Sequence, residues 1–199
     1  MEKLIVIIII SLCLISCYYG LYIEKSYKFV NHEITDGGFD GDCVIDTISD
    51  DEVYQVYFSW GEMKFYLTHR ILEGPYRVRF TFINNNLIKK VIINDIILKY
   101  NETVESLLKN IYQIKYWDWQ NKGVFYDLEK FYSANTIEFD DELNGFYFRL
   151  SNIDIPYNKV ENIELRFIMS VYLENGEIRN INREYKLIRF KDSHEGSFQ

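Results

Sequence analysis

The chain has 199 residues, 48% of them hydrophobic and 17% aromatic, and a formal net charge of −8. That composition buries enough apolar surface for one sizeable core and excludes a disordered chain. The acid excess, with no long basic stripe, argues against nucleic acid as a partner, because nucleic-acid recognition rests on neutralising phosphates with Lys and Arg.

An apolar run from Leu4 ends in Leu14-Ile15-Ser16-Cys17. This segment resembles the lipobox of bacterial lipoproteins, in which a small residue precedes the cysteine that becomes the acylated first residue of the mature chain. The resemblance covers the signal segment alone and implies lipidation of Cys17, a signal peptide over 1–16, and a location in the bacterial cell envelope facing the periplasm or exterior. Met1-Glu2-Lys3 departs from the usual basic start, since Glu2 cancels Lys3. Two other readings of the segment stay open. One is an uncleaved anchor reaching to Ile23. The other is an ordinary secretory signal cut near Ser16, which would suit a eukaryotic or viral protein and make Asn101-Glu102-Thr103 a glycosylation acceptor. All three export the rest of the chain, and removal of 1–16 takes one acid and one base, leaving the net charge at −8.

Residues 17–30 read as a short membrane-proximal segment, 31–191 as a single domain and 192–199 as a polar tail. Tyr18 to Tyr27 is aromatic and apolar, so no flexible Gly/Ser leash separates lipid from domain. Cys13 leaves with the signal and Cys17 would carry lipid, so Cys43 stands alone and no disulfide framework is expected. Under plain secretion a Cys17 to Cys43 bridge becomes available. No local motif supplies a histidine partner that would make Cys43 a nucleophile.

Ile34 to Glu52 is acidic and glycine-rich and reads as loop. Within it Asp36, Asp40 and Asp42 supply hard oxygen ligands of the kind Ca2+ takes, and the glycines allow a tight wrap. The EF-hand pattern is not met, because Thr47 stands where the twelfth-position acid is required. A solvated acidic loop is therefore the favoured reading, and no cofactor is assigned beyond that weak Ca2+ candidate.

From Val53 onward period-2 alternation dominates. Tyr76, Val78, Phe80 and Phe82 alternate with Arg77, Arg79 and Thr81, which gives a strand with one face in the core and one in water. Asn84-Asn85-Asn86 then supplies a turn. Leu87 to Tyr100 is β-branched and apolar, with a bend expected at Asn94-Asp95. A helix is predicted near 102–114, where Asn101 can cap, Glu102 and Glu105 suit the positive end of the dipole, and Val104, Leu107, Leu108 and Ile111 form one stripe.

Ile163, Leu165, Phe167, Met169, Val171 and Leu173 alternate with mostly polar neighbours, so that face is buried. A two-residue turn at Asn175-Gly176 would pair Leu173 with Ile178 and bury Asn180, Asn182, Glu184 and Lys186, which the cost of burying polar groups forbids. A three-residue loop, Glu174-Asn175-Gly176, with Gly176 left-handed in a G1 bulge, sets Ile181, Tyr185 and Leu187 beside the apolar face instead. The expected fold is mainly β: an antiparallel β-sandwich of immunoglobulin-like style with one crossover helix. The Cys-Trp-Cys pattern of antibody domains is absent.

His32, His69 and His194 are dispersed without metal-ligand spacing, and no nucleophile elbow, phosphate loop or zinc motif occurs, so a non-enzymatic role is expected. Tyr116-Trp117-Asp118-Trp119 interleaves large rings with hydrogen-bonding groups, which suits stacking on sugars or a protein hot spot. Tyr116, Trp117 and Trp119 are accordingly the candidate ligand contacts, although packing of Trp117 or Trp119 under the crossover as core is the commoner outcome. The expected function is a membrane-anchored binding module for a protein or glycan. An inhibitor or immunity factor presenting an acidic face is the alternative, and an exported hydrolase ranks third.

Overall fold

The computed structural model describes residues 20–30, 34–36, 42–49, 52–65, 69–83, 88–117, 123–138 and 145–196. Two β-sheets face each other across one hydrophobic core. Sheet A contains β1 (Gly20–Val30), β5 (Glu62–Phe65), β6 (His69–Glu73), β8 (Ile88–Tyr100), β9 (Thr103–Ser106), β12 (Thr136–Glu138), β14 (Asn162–Leu173) and β15 (Ile178–Gly196). Its order is β12-β8-β14-β15-β1-β6-β5, with β9 also paired to β8. Sheet B contains β2 (Ile34–Asp36), β3 (Asp42–Ser49), β4 (Glu52–Ser59), β7 (Tyr76–Ile83), β10 (Ile111–Trp117), β11 (Gly123–Phe125) and β13 (Gly145–Ile153), ordered β11-β10-β13-β7-β4-β3-β2. Among the described residues every pairing is antiparallel except β1 with β6. The expected two-sheet sandwich is the observed fold.

The core is unusually aromatic. Phe80 stacks on Phe148 at 5.1 Å within sheet B and meets Phe167 of sheet A at 4.9 Å. Tyr27 of sheet A meets Phe58 and Tyr76 of sheet B edge-on at 6.0 and 5.4 Å. Rings in tilted and edge-to-face contact contribute beyond their buried area.

The final hairpin takes the predicted register. Leu165 faces Tyr185, Met169 faces Ile181 and Ile163 faces Leu187, while Tyr172, not Leu173, lies opposite Ile178. Gly176 N donates to Leu173 O, Leu173 N donates to Glu177 O, and Gly176 has φ 86°. The left-handed residue of the three-residue loop is thus the glycine.

β8 shows how an apparently irregular sequence keeps its apolar side inward. Its register against β14 skips Lys89 and Asn94, so each is the extra residue of a bulge. Each bulge advances the side-chain phase by one, which brings Ile88, Val91, Ile93, Ile96 and Leu98 all to the core. The bend expected at Asn94-Asp95 is the second bulge, within a continuous strand.

The helix expected near 102–114 does not form. Asn101 has φ 49° and turns the chain so that Thr103 pairs back with Tyr100, and Thr103–Ser106 becomes β9. A short 3-10 turn at Leu108–Asn110 leads into β10. Val104, one of the residues on the supposed stripe, is 64% exposed. The helix present among the described residues is α1 (Leu128–Ala134). Asp127 Oδ1 accepts from Glu129 N, Phe131 is buried, and Asn135 ends the helix at φ 50°.

Two boundaries move. Residues 20–30, read as part of a membrane-proximal segment outside the domain, form β1, hydrogen-bonded along its length to β15 from Gly20↔Gly196 to Val30↔Lys186, with Tyr22, Ser26, Tyr27 and Phe29 buried. Residues 192–196, read as part of a polar tail, belong to β15. The acidic stretch read as loop contributes β2, β3 and the start of β4, with Cys43 and Val44 buried; pairing to β4 outweighs its loop-like composition. No described helix is long and apolar enough to cross a membrane.

Candidate ligand-binding face

Alternation fixes which side chains of sheet B look away from the core. On β7, Tyr76, Val78, Phe80 and Phe82 are buried, which turns Arg77, Arg79 and Thr81 to the other face. Register then aligns a row across four strands: Tyr57 on β4, Arg79 on β7, Arg149 on β13 and Gln113 on β10. A neighbouring row runs Gln55, Thr81, Tyr147, Lys115 and Phe125.

The side chains in these rows hold one another. The Arg79 guanidinium lies 4.0 Å from the Tyr57 ring centroid, Arg149 lies 4.8 Å from that of Tyr147, and Lys115 lies 5.5 Å from that of Phe125. Arg149 donates to Gln113 Oε1 at 3.2 Å, and Tyr57 donates to Gln55 Oε1 at 2.5 Å. Stacking on a ring uses the face of a guanidinium and not its in-plane N–H donors. Burial raises the Tyr57 hydroxyl pKa, with the Cys43 thiol adding to the rise and Arg79 opposing it. Thr81 is only 8% exposed, and its hydroxyl has no hydrogen-bond partner among the described residues.

Where β4 ends and β7 begins, Ser59, Trp60, Arg77, Arg79, Tyr112 and Arg149 border a depression of about 130 Å³. A second, of about 200 Å³, shares Arg77 and Tyr112 and adds Gly61, Glu62, Ser151 and Asn152. Gly61 is required here because a Cβ at this position would lie 1.8 Å from Pro75 O. A larger cavity of about 390 Å³ at the end of β8 is lined by both signs of charge, and its Lys99 and Glu164 pair at 2.8 Å. Its charge is internally compensated. Among the described residues, by contrast, no carboxylate pairs with Arg77 or Arg149.

The residues singled out in the sequence fall differently. Tyr116 points into the core: it is 4% exposed, its hydroxyl donates to Glu138 O at 2.6 Å, and its ring meets Tyr126 edge-on at 5.6 Å. It is a packing residue and not a surface contact. Trp117 ends β10 two positions beyond Lys115, with Gly145 and Gly123 as its cross-strand partners. Trp119 lies outside the described residues, as do Cys17 and Asp40. Asp36 and Asp42 are backbone partners closing the β2–β3 hairpin. No group of three or more His, Cys, Asp or Glu able to hold a metal occurs among the described residues. Cys43 is a buried thiol on β3 opposite Tyr57.

Arg77 and Arg79 were legible as the polar half of an alternating strand. Their meeting with Arg149, Trp60 and Tyr112 was not, because it depends on the pairing of β7 with β13 and on the chain's passage between sheets at Gly61. No family model, curated protein or solved structure matches the chain.

Proposed function

We propose that this is an exported protein held at a bacterial membrane by lipid on Cys17, and that its sandwich serves as a non-enzymatic binding module for an extracytoplasmic protein or glycan, with the outer face of sheet B as the contact surface. The observation carrying the binding role is the Tyr57–Arg79–Arg149–Gln113 row with its adjoining depressions, a concentration of ring-stacked cations on a chain of net charge −8. Aromatic and Arg side chains are the types enriched in binding hot spots. The inhibitor alternative calls for an acidic face, and this face is cationic.

The membrane role is supported by Leu14-Ile15-Ser16-Cys17 and by the start of β1 at Gly20. Only Tyr18 and Tyr19 separate Cys17 from that strand, a reach of roughly 10 Å at full extension. A lipid there holds the sandwich against the bilayer by its Gly20–Gly196 end. Two or more acyl chains make such anchoring effectively stable.

The test is the intact mass of membrane-extracted protein beside that of Cys17→Ala. The wild type should start at Cys17 and carry an acyl increment that the variant lacks. Recovery of unmodified protein with Met1 in place would refute the anchor.

A further inference from the structure

Resting on the binding-module reading, we infer that the two joined depressions on sheet B form a site for an acidic sugar: an oligosaccharide unit bearing a carboxylate or sulfate, with the anionic group among Arg77, Arg79 and Arg149 and the ring against Tyr112 and Trp60.

The chemistry divides between the depressions. The smaller is bordered by three guanidinium groups and, among the described residues, by no carboxylate. Arg presents planar forked donors that match the paired oxygens of a carboxylate or sulfate, and a charge-assisted bond of this kind is about twice as strong as a neutral one. The stacking of Arg79 on Tyr57 and of Arg149 on Tyr147 holds two of these groups in place before any ligand arrives. Preorganisation of this sort lowers the entropy cost of binding.

Among the described residues the second depression is lined by Ser151, Asn152 and Glu62, groups suited to hydroxyls, and by the shared Arg77, whose charge the Glu62 carboxylate offsets, so this lining carries no net charge. Tyr112, 41% exposed, lines both depressions. One subsite therefore fits an anion, the next fits neutral hydroxyls, and an exposed ring joins them. An acidic sugar has that same sequence of groups.

The net charge of −8 narrows the class further. Long polyanions such as duplex nucleic acid feel the whole field of the protein, which repels them, whereas a short acidic oligosaccharide is governed by the local groove.

The experiment uses the full chain in detergent and titrates it calorimetrically with oligogalacturonate (carboxylate), sulfated dextran oligosaccharide (sulfate), neutral dextran oligosaccharide and a single-stranded oligonucleotide. One or both acidic sugars should bind, and the two arms identify which anion is preferred. The neutral sugar and the oligonucleotide should bind at least ~10-fold more weakly, the loss expected when a charge-assisted contact is missing. Arg149→Gln and Arg77→Gln should each weaken acidic-sugar binding by about 10-fold or more on the same basis. Arg149→Lys, which keeps the charge and removes the fork, should fall between wild type and Gln, and Tyr112→Ala should weaken sugars while sparing the residual oligonucleotide signal. Thermal melts confirm that each variant is folded. If no acidic sugar binds, if Arg149→Lys equals wild type, or if the oligonucleotide binds as well as the sugars, the assignment is wrong. Failure here together with capture of a neutral glycan would leave the binding-module reading standing and this one overturned.

Discussion

The hydroxyl of Tyr185 donates to that of Tyr54 at 3.0 Å, a buried bond between residues 131 positions apart that ties β15 of sheet A to β4 of sheet B. Both rings are fully buried, Tyr54 stacked on Phe80 at 4.7 Å and Tyr185 edge-on to Phe167 at 5.9 Å. Tyr185→Phe keeps the ring and removes the donor, so it should cost about 1–2 kcal/mol in urea unfolding. Tyr54→Phe should behave similarly, and the double variant should lose less than the two singles combined, by at least ~0.5 kcal/mol. Strict additivity would mean that the hydroxyls do not act as a pair.

The β14–β15 turn offers a test of backbone conformation alone. Gly176 has φ 86°, and a Cβ built there would meet nothing within 4 Å. Gly176→Ala should therefore destabilise by about 1 kcal/mol purely through the left-handed backbone, and Gly176→Asn by less. The remaining turn support, Asn175 Oδ1 accepting from Glu177 N, is unaffected by either change. Equal melting temperatures for wild type and Gly176→Ala would contradict the bulge.

These two cases show which parts of the fold the sequence discloses. The final hairpin is local: a period-2 run, a glycine and the cost of burying Asn180 and Asn182 suffice to choose its register. Tyr185 reaching Tyr54 is not local, and neither is the pairing of Arg79 with Arg149. The misread helix has the same cause. Val104, Leu107, Leu108 and Ile111 satisfy a helical stripe, yet Asn101 serves as a turn residue because β8 offers Thr103–Ser106 an edge to pair with. Residues 20–30 read as a membrane-proximal segment outside the domain since their partner, β15, lies at the far end of the chain. Tyr116 looked like a surface aromatic because its neighbours are tryptophans, whereas the phase of β10 sends it inward beside Ile114.

Glu73 joins three strands at one edge of sheet A, accepting from Lys64 of β5 and from Lys25 of β1 at 3.2 Å. Its carboxyl is held below the ordinary carboxylate value of 4.5, first by the Lys64 hydrogen bond and then by Lys25, with burial opposing. Because the folded value is depressed, the stabilisation is present above the unfolded pKa and disappears as pH falls through the folded one. Glu73→Gln should cost about 1 kcal/mol at neutral pH, the scale of partly exposed ion pairs. The gap in melting temperature between wild type and variant should close as the pH is lowered below 4.5. A gap that is independent of pH would assign the effect to packing.

At the alkaline end the sign reverses. Burial pushes the Tyr27 hydroxyl up to about 12 from an ordinary 10.0, with Arg189 opposing the rise, and burial raises Tyr76 and Tyr116 as well. An unfolded chain gives up these protons near pH 10.0 while the folded chain keeps them, so the associated stability is intact below pH 10.0 and is lost as pH climbs through about 12. Tyr27 also donates to Val160 O at 3.2 Å. Tyr27→Phe should therefore cost about 1 kcal/mol at pH 7, where only the hydrogen bond is missing. The variant should then lose stability less steeply than wild type between pH 10.0 and about 12, since one of the groups that resists ionisation has gone. Parallel curves of melting temperature against pH for the two proteins would show that Tyr27 ionises as readily folded as unfolded, and would place the alkaline sensitivity on Tyr76 and Tyr116.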